Sequence, residues 1–133
     1  MEQVQQKFTA LVVDDEEMLV TMQTSFLADI GVEAAGAFSG ADAILHLQSN
    51  QVDLVISDVR MPGTVDGIQL YEWIGRNQPH LLKRFLFVSG DMIGIHVSDF
   101  FLNSTAQRIQ KPFVWDDYSS LVHQMLGHGA EIQ

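Results

Sequence analysis

Five polar residues stand at or directly behind strand-sized apolar runs in this 133-residue chain. Asp14 and Asp15 follow "FTALVV" (8 to 13), Asp58 follows "VDLVIS" (52 to 57), Ser89 closes "RFLFVS" (84 to 89), and Lys111 follows the less apolar "AQRIQ" (106 to 110). Singly, each has an ordinary explanation: a helix cap, a turn opener, a loop start, a solvated lysine. Gathered at one place they define a chemistry. Three carboxylates repel by roughly 1 kcal/mol per pair in water, and about 4 at an effective dielectric of 20 for ~4 Å separation, so a cation must offset them. An all-oxygen donor set without His or Cys suits Mg²⁺, which takes one or two carboxylates, keeps several waters and often shares a phosphate. Lys111 supplies a fixed positive charge and Ser89 a hydroxyl donor, both suited to phosphoryl oxygens. An Asp carboxylate can itself be the attacking nucleophile in aspartyl-phosphate chemistry.

The elements between these residues decide whether they meet. The apolar runs are mostly continuous rather than alternating, as expected of strands covered on both faces, and a fifth run, "VEAAGAF" (32 to 38), follows Gly31. Between them lie segments of helical period. Met18, Met22, Phe26 and Ile30 recur at i+4 and mark the first helix. Ile44 and Leu47 follow Ser39, an N-cap with Asp42 at the N3 position. Leu70 and Ile74 mark a third helix, and Tyr118, Leu121, Val122 and Met125 a last one, ended by Gly127. The segment Met92 to Leu102 is a less regular helix, weakened by Gly94 and β-branched residues. Of its adjacent Phe100 and Phe101, both are expected to be buried.

Strand and helix therefore alternate five times, which predicts an α/β fold: a parallel sheet with right-handed crossovers and helices on both faces. In such sheets, ligands bind outside the carboxyl ends of the strands, where all five polar residues would gather. Glu16 and Glu17 belong to the first turn of the following helix, where the dipole favours negative charge.

Composition narrows the function. Seven Lys plus Arg against seventeen Asp plus Glu leave a formal charge of −10, which excludes nucleic-acid binding driven by phosphate attraction. With no cysteine and five His lacking ligand spacing, a zinc enzyme is disfavoured. The N-terminus lacks signal-peptide character and no apolar run reaches the ~20 residues of a membrane span, so a cytoplasmic protein is expected. The whole of 1–133 reads as a single domain, with a core of about 8 to 126 and short tails.

The chain resembles response-regulator receiver domains of two-component signalling. The resemblance rests on the Asp14-Asp15 pair, Asp58 in "SDVRMPG", Ser89 in "FVSGD" and Lys111 in "QKPF", spaced 43, 31 and 22 residues apart (15 to 58, 58 to 89, 89 to 111). It implies a flavodoxin-like sheet of order 2-1-3-4-5. It also implies that Asp58 accepts a phosphoryl group from a histidine kinase or histidine phosphotransfer protein. Mg²⁺ would be held by Asp15, Asp58 and the backbone carbonyl of Arg60, with Asp14 contributing through water. Lys111 would pair with the phosphoryl group, and Lys111–Pro112 would be a cis peptide. Such a domain catalyses its own phosphorylation and dephosphorylation, and phosphorylation reorganises the face built from the fourth helix, fifth strand and fifth helix. "RFLFVSGD" and "QRIQKPF" look most like receivers attached to hybrid sensor kinases. Homodimerisation through the fourth and fifth elements is compatible with the family, but no residue argues for it.

Two departures stand out beside the irregular fourth-helix segment. The fifth-strand position three before the lysine, often Tyr or Phe in the family, is Arg108, which puts the usual aromatic coupling to Ser89 in doubt. "MPGTVDG" is one residue longer than the frequent M-P-G-M-D-G. Arg60 and Asp91, each two residues beyond a site residue, are positioned for an ion pair across the pocket mouth that would hinder hydrolytic water. Two other readings compete: a receiver-like interaction module that is never phosphorylated, and a small Mg²⁺-dependent phosphatase. The phosphatase usually needs Asp-x-Asp, and "SDV" offers no second Asp.

Overall fold

The computed structural model describes residues 7–90 and 95–127. Asp91, Met92 and Gly94, the tails before Lys7 and after Gly127, and with them the Arg60–Asp91 ion pair, lie outside the described residues. In chain order the elements are β1 (Phe8–Val13), α1 (Glu17–Asp29), β2 (Val32–Ala37), α2 (Gly40–Ser49), β3 (Leu54–Ser57) and α3 (Gly67–Asn77). A 3-10 turn (Pro79–Arg84) leads into β4 (Phe85–Ser89), followed by α4 (Ile95–Leu102), β5 (Gln107–Gln110) and α5 (Trp115–Leu126). The sheet is parallel throughout, in the order β2-β1-β3-β4-β5, the expected flavodoxin-like topology.

Continuous apolar runs are explained by two cores. Alternate residues of β1, Leu11 and Val13, join Val55, Phe85 and Phe87 against α2, α3 and α4; their neighbours Ala10 and Val12 join Leu54, Ile56, Leu86 and Val88 against α1 and α5. A strand with period-2 side chains needs apolar residues at every position only when both faces are covered. β3 starts two residues later than its apolar run because Asp53 turns its side chain to the backbone: Oδ2 accepts from the Thr9 N–H at 2.8 Å. Ser39 caps α2 as expected, its Oγ accepting from the Asp42 N–H at 3.0 Å. Gly127 ends α5 in the left-handed region at φ 84°.

The i+4 series on α1 divides between core and solvent: Phe26 and Ile30 pack against the core, the two methionines do not. Met18 is 73% and Met22 46% exposed, while Val20, Gln23 and Leu27 face the core. At 3.6 residues per turn, a strict i+4 series drifts by about 40° per step, so Met18 to Ile30 winds off one face, whereas alternating steps of three and four stay on it. The buried Gln23 is satisfied by the Tyr118 hydroxyl, which donates to Oε1 at 2.8 Å and ties α1 to α5. Burial holds the Tyr118 phenol far above its ordinary pKa, so it remains a donor.

Candidate functional site

Parallel strands deliver their carboxyl ends to one edge. β1 and β3 are neighbours in register, Val13 opposite Ser57, so Asp14 and Asp58 leave the sheet side by side. The ladder continues one step past each strand: the Asp58 N–H donates to the Val13 carbonyl at 3.0 Å and the Asp14 N–H to the Ala37 carbonyl at 3.1 Å. β5 ends opposite β4, and the Lys111 N–H donates to the Ser89 carbonyl at 2.9 Å. The Lys111–Pro112 peptide is cis, as the resemblance implied.

The side chains converge. Asp14, Asp15 and Asp58 each offer a carboxylate oxygen, and the three lie within 4.8 Å of one another. The Lys111 ammonium sits 3.2 Å from Asp14 Oδ2 and 3.5 Å from Asp58 Oδ2. Asp14 is buried, Asp58 half-buried and Asp15 exposed, so the cluster grades from interior to solvent. Burial raises the Asp14 pKa above the ordinary carboxylate value, against the Glu16 backbone N–H and the Lys111 charge that pull it down. For Lys111, burial acts to lower the pKa, but the charges of Asp58 and Asp14 outweigh it and the net shift is upward. The lysine is thus held as a cation against two carboxylates.

Asp58 is fixed by its own backbone surroundings. Its Oδ1 accepts from the Val59 N–H at 2.7 Å, and its carbonyl accepts from the Ser57 hydroxyl at 2.8 Å. The lengthened loop turns at Gly63 (φ 101°) and returns to Gly67, whose N–H donates to the Val59 carbonyl at 2.9 Å. A Cβ at Gly67 would overlap the Asp58 carbonyl, so only glycine allows α3 to start this close to the site. Arg60 follows on the exposed side of this loop, and Ser89 is buried at the end of β4. An all-oxygen set of three carboxylates, compensated by one lysine, fits a hard divalent cation.

Phe100 and Phe101 are both half-buried and pack on the core: Phe87 meets Phe100 at 5.6 Å and Phe101 at 5.2 Å between ring centroids. Arg108 lays its guanidinium over Phe101, 4.5 Å from the ring centroid. Sequence reading missed that contact and the Gln23–Tyr118 bond. Nothing local announces either partner, since Tyr118 lies 95 residues from Gln23.

Comparison with known proteins agrees with this geometry. Residues 10–122 match the model of the response regulator receiver domain, and the chain belongs to that family. Its cluster of Asp14, Asp15, Asp58 and Lys111 suits aspartyl phosphorylation on the domain's own side chain rather than turnover of an external substrate. The chain is 29% identical over 122 residues to the DNA-binding transcriptional regulator NtrC of Escherichia coli, covering 92% of this chain and 25% of that protein. It is 36% identical over 73 residues to the CAI-1 autoinducer sensor kinase/phosphatase CqsS of Vibrio cholerae, covering 55% of this chain and 10% of that protein. It thus spans about a quarter or less of these curated relatives. Among solved structures, a CheY-like receiver domain protein from Methanospirillum hungatei superimposes with a TM-score of 0.81 at 22% identity, covering 91% of this chain and 94% of that one. Among the described residues, no helix is long and apolar enough to cross a membrane.

Proposed function

We propose that Asp58 is the phosphoacceptor and that its donor is the phosphohistidine of a histidine kinase or histidine phosphotransfer protein, acting in the cytoplasm. The observation that carries this is Lys111 seated 3.2 Å from Asp14 and 3.5 Å from Asp58, with carboxylate oxygens of Asp14, Asp15 and Asp58 within 4.8 Å of one another: a nucleophile, a cation and a metal-suited acid pair in one cluster. An Asp58 carboxylate oxygen attacks phosphorus in line; the new P–O bond forms as the P–N bond breaks, and the electron pair leaves with the donor imidazole. Lys111 moves its charge from the carboxylates to the phosphoryl oxygens, and the Ser89 hydroxyl donates to them. Asp15, Asp58 and the Arg60 carbonyl would hold Mg²⁺, with Asp14 acting through water. Held there, it would supply charge neutralisation at the transferring group. The Val59 N–H keeps one Asp58 oxygen occupied and leaves the other to attack.

The likeness to a short part of NtrC and of CqsS supports a receiver module within a larger signalling protein. Incubation with acetyl phosphate and Mg²⁺, followed by intact-mass spectrometry, tests the assignment. A single phosphoryl adduct is expected, absent without Mg²⁺ and absent in Asp58→Asn. No adduct on folded protein would instead mark a non-phosphorylated interaction module, and sustained hydrolysis of varied phosphate esters a phosphatase.

A further inference from the structure

Two adjoining cavities lie at the amino ends of β3 and β4, the end of the sheet away from the acidic cluster. Asp53 precedes β3 and Asp58 follows it, so the length of a strand, about 16 Å at its usual rise, separates the two ends. One chamber, of about 430 Å³, is floored by the buried Val52 and Leu81 and ringed by Asp53, His80, Lys83 and Arg84. The other, of about 390 Å³, is walled by side-chain amides, Gln48, Gln51 and Gln78 among them, and its lining holds no acid, lysine or arginine. Gln51, Val52 and His80 line both, so the two make one divided pocket.

The first chamber runs against the charge of the chain. Among the described residues Lys83 and Arg84 form no ion pair, although the chain carries a formal charge of −10. The one acid in the lining, Asp53, already turns Oδ2 to Thr9, accepting from its N–H at 2.8 Å and from its hydroxyl at 3.3 Å. Two adjacent cations without a carboxylate of their own suit two linked phosphate groups, to which they offer charge-assisted N–H bonds. A long phosphate backbone would meet the acidic remainder of the protein, whereas one diphosphate meets only the local charge, because salt at 0.1 M screens exposed charges beyond about 10 Å. In the second chamber, Gln78 Nε2 donates to the Leu47 carbonyl at 2.9 Å and is committed to the end of α2. The side-chain amides of Gln48 and Gln51 are exposed and take no hydrogen bond from the described residues. A glutamine amide can pair through two hydrogen bonds with the N6/N7 edge of adenine. The His80 ring, common to both chambers, offers a flat face on which a base can stack.

We propose that this divided pocket binds an adenine nucleotide carrying a diphosphate. Lys83 and Arg84 hold the phosphates, His80 stacks on the base, and Gln51, on the wall between the chambers, reads the edge of adenine. The site lies apart from the acidic cluster, and the proposal does not rest on Asp58 as phosphoacceptor.

Titration of the full chain with ADP provides the test, by calorimetry and by backbone amide shifts of isotope-labelled protein. EDTA is present throughout, so that no metal ion can carry the nucleotide to the acidic cluster. Saturable one-to-one binding is expected, with shifts centred on Gln51, His80, Lys83 and Arg84. Adenosine and pyrophosphate, each filling one chamber, are expected to bind about tenfold more weakly or worse, and so is GDP, which presents the wrong edge to Gln51. Lys83→Ala and His80→Ala are each expected to weaken ADP binding about tenfold, and Gln51→Leu to abolish the preference for ADP over GDP. All three positions are exposed, so the variants keep the fold, and each is expected to accept phosphate from acetyl phosphate as the parent does. A failure of the Asp58 reading therefore shows as a different result. No binding of ADP, pyrophosphate or GDP binding as tightly as ADP, unchanged affinity in Lys83→Ala, or shifts centred on Asp14 and Asp58 would overturn the proposal. So would tighter binding of a single-stranded oligoadenylate than of ADP, which would make nucleic acid the occupant.

Discussion

β3 and β5 are each followed directly by a residue of the acidic site, Asp58 and Lys111, yet they are built in opposite ways. β3 is buried at all four positions, paired on both sides by β1 and β4, and fed by both cores. β5 is the sheet edge, exposed at three of its four positions, with only Ile109 partly buried. The difference separates two tasks. A central strand holds Asp58 in a frame that cannot shift without disturbing both cores. An edge strand carries Lys111 on one backbone link to Ser89 and leaves Gln107, Arg108 and Gln110 exposed.

The largest expected effect tests the packing half of that contrast. Leu54→Ala, at a fully buried position of β3, is expected to cost about 2–5 kcal/mol in urea unfolding, against about 1 kcal/mol for Ile109→Ala on β5. Equal costs would break the comparison. Next, Lys111→Ala is expected to slow phosphorylation by acetyl phosphate about a hundredfold, the scale of losing one charge-stabilising group, while leaving the unfolding midpoint nearly unchanged. A large stability loss would show that β5 is as structural as β3. Tyr118→Phe removes the donor to buried Gln23 and is expected to cost about 1–3 kcal/mol, by thermal unfolding, with the ring packing kept.

The smallest effect sharpens the electrostatic half. Because the Asp14 pKa is raised, its contribution to stability is full below the unfolded carboxylate value and is lost as pH rises through the folded value. Metal-free protein should therefore carry its greatest carboxylate strain above that range, where Mg²⁺ also binds without displacing a proton. At ten times its dissociation constant Mg²⁺ is expected to stabilise by about 1.4 kcal/mol, an effect that shrinks as pH falls through the Asp14 titration. Calorimetric melts with and without Mg²⁺ from pH 4 to 8 check the sign (range set about the carboxylate values, ~4).

Much of this was legible in the residues. The five strands, the sheet order implied by the resemblance, the Ser39 cap, the Gly127 stop and the gathering of Asp14, Asp15, Asp58, Ser89 and Lys111 at one edge were all expected, and the structure places them so. The exception was the buried set of α1: the regular i+4 series of Met18, Met22, Phe26 and Ile30 divides between core and solvent, and apolar identity hid a buried glutamine. Gln23 is inside because Tyr118, 95 residues away, satisfies it.

That divides what each level decides. The sequence by itself determined the alternation of elements and which polar residues cap the strands, because both follow from short-range periodicity and from the chain direction shared by parallel strands. Only the tertiary structure decided which face of α1 is buried, that Lys111 bridges Asp14 and Asp58, and that Arg108 rests on Phe101. Those outcomes depend on partners brought together by packing, and no local pattern encodes a partner.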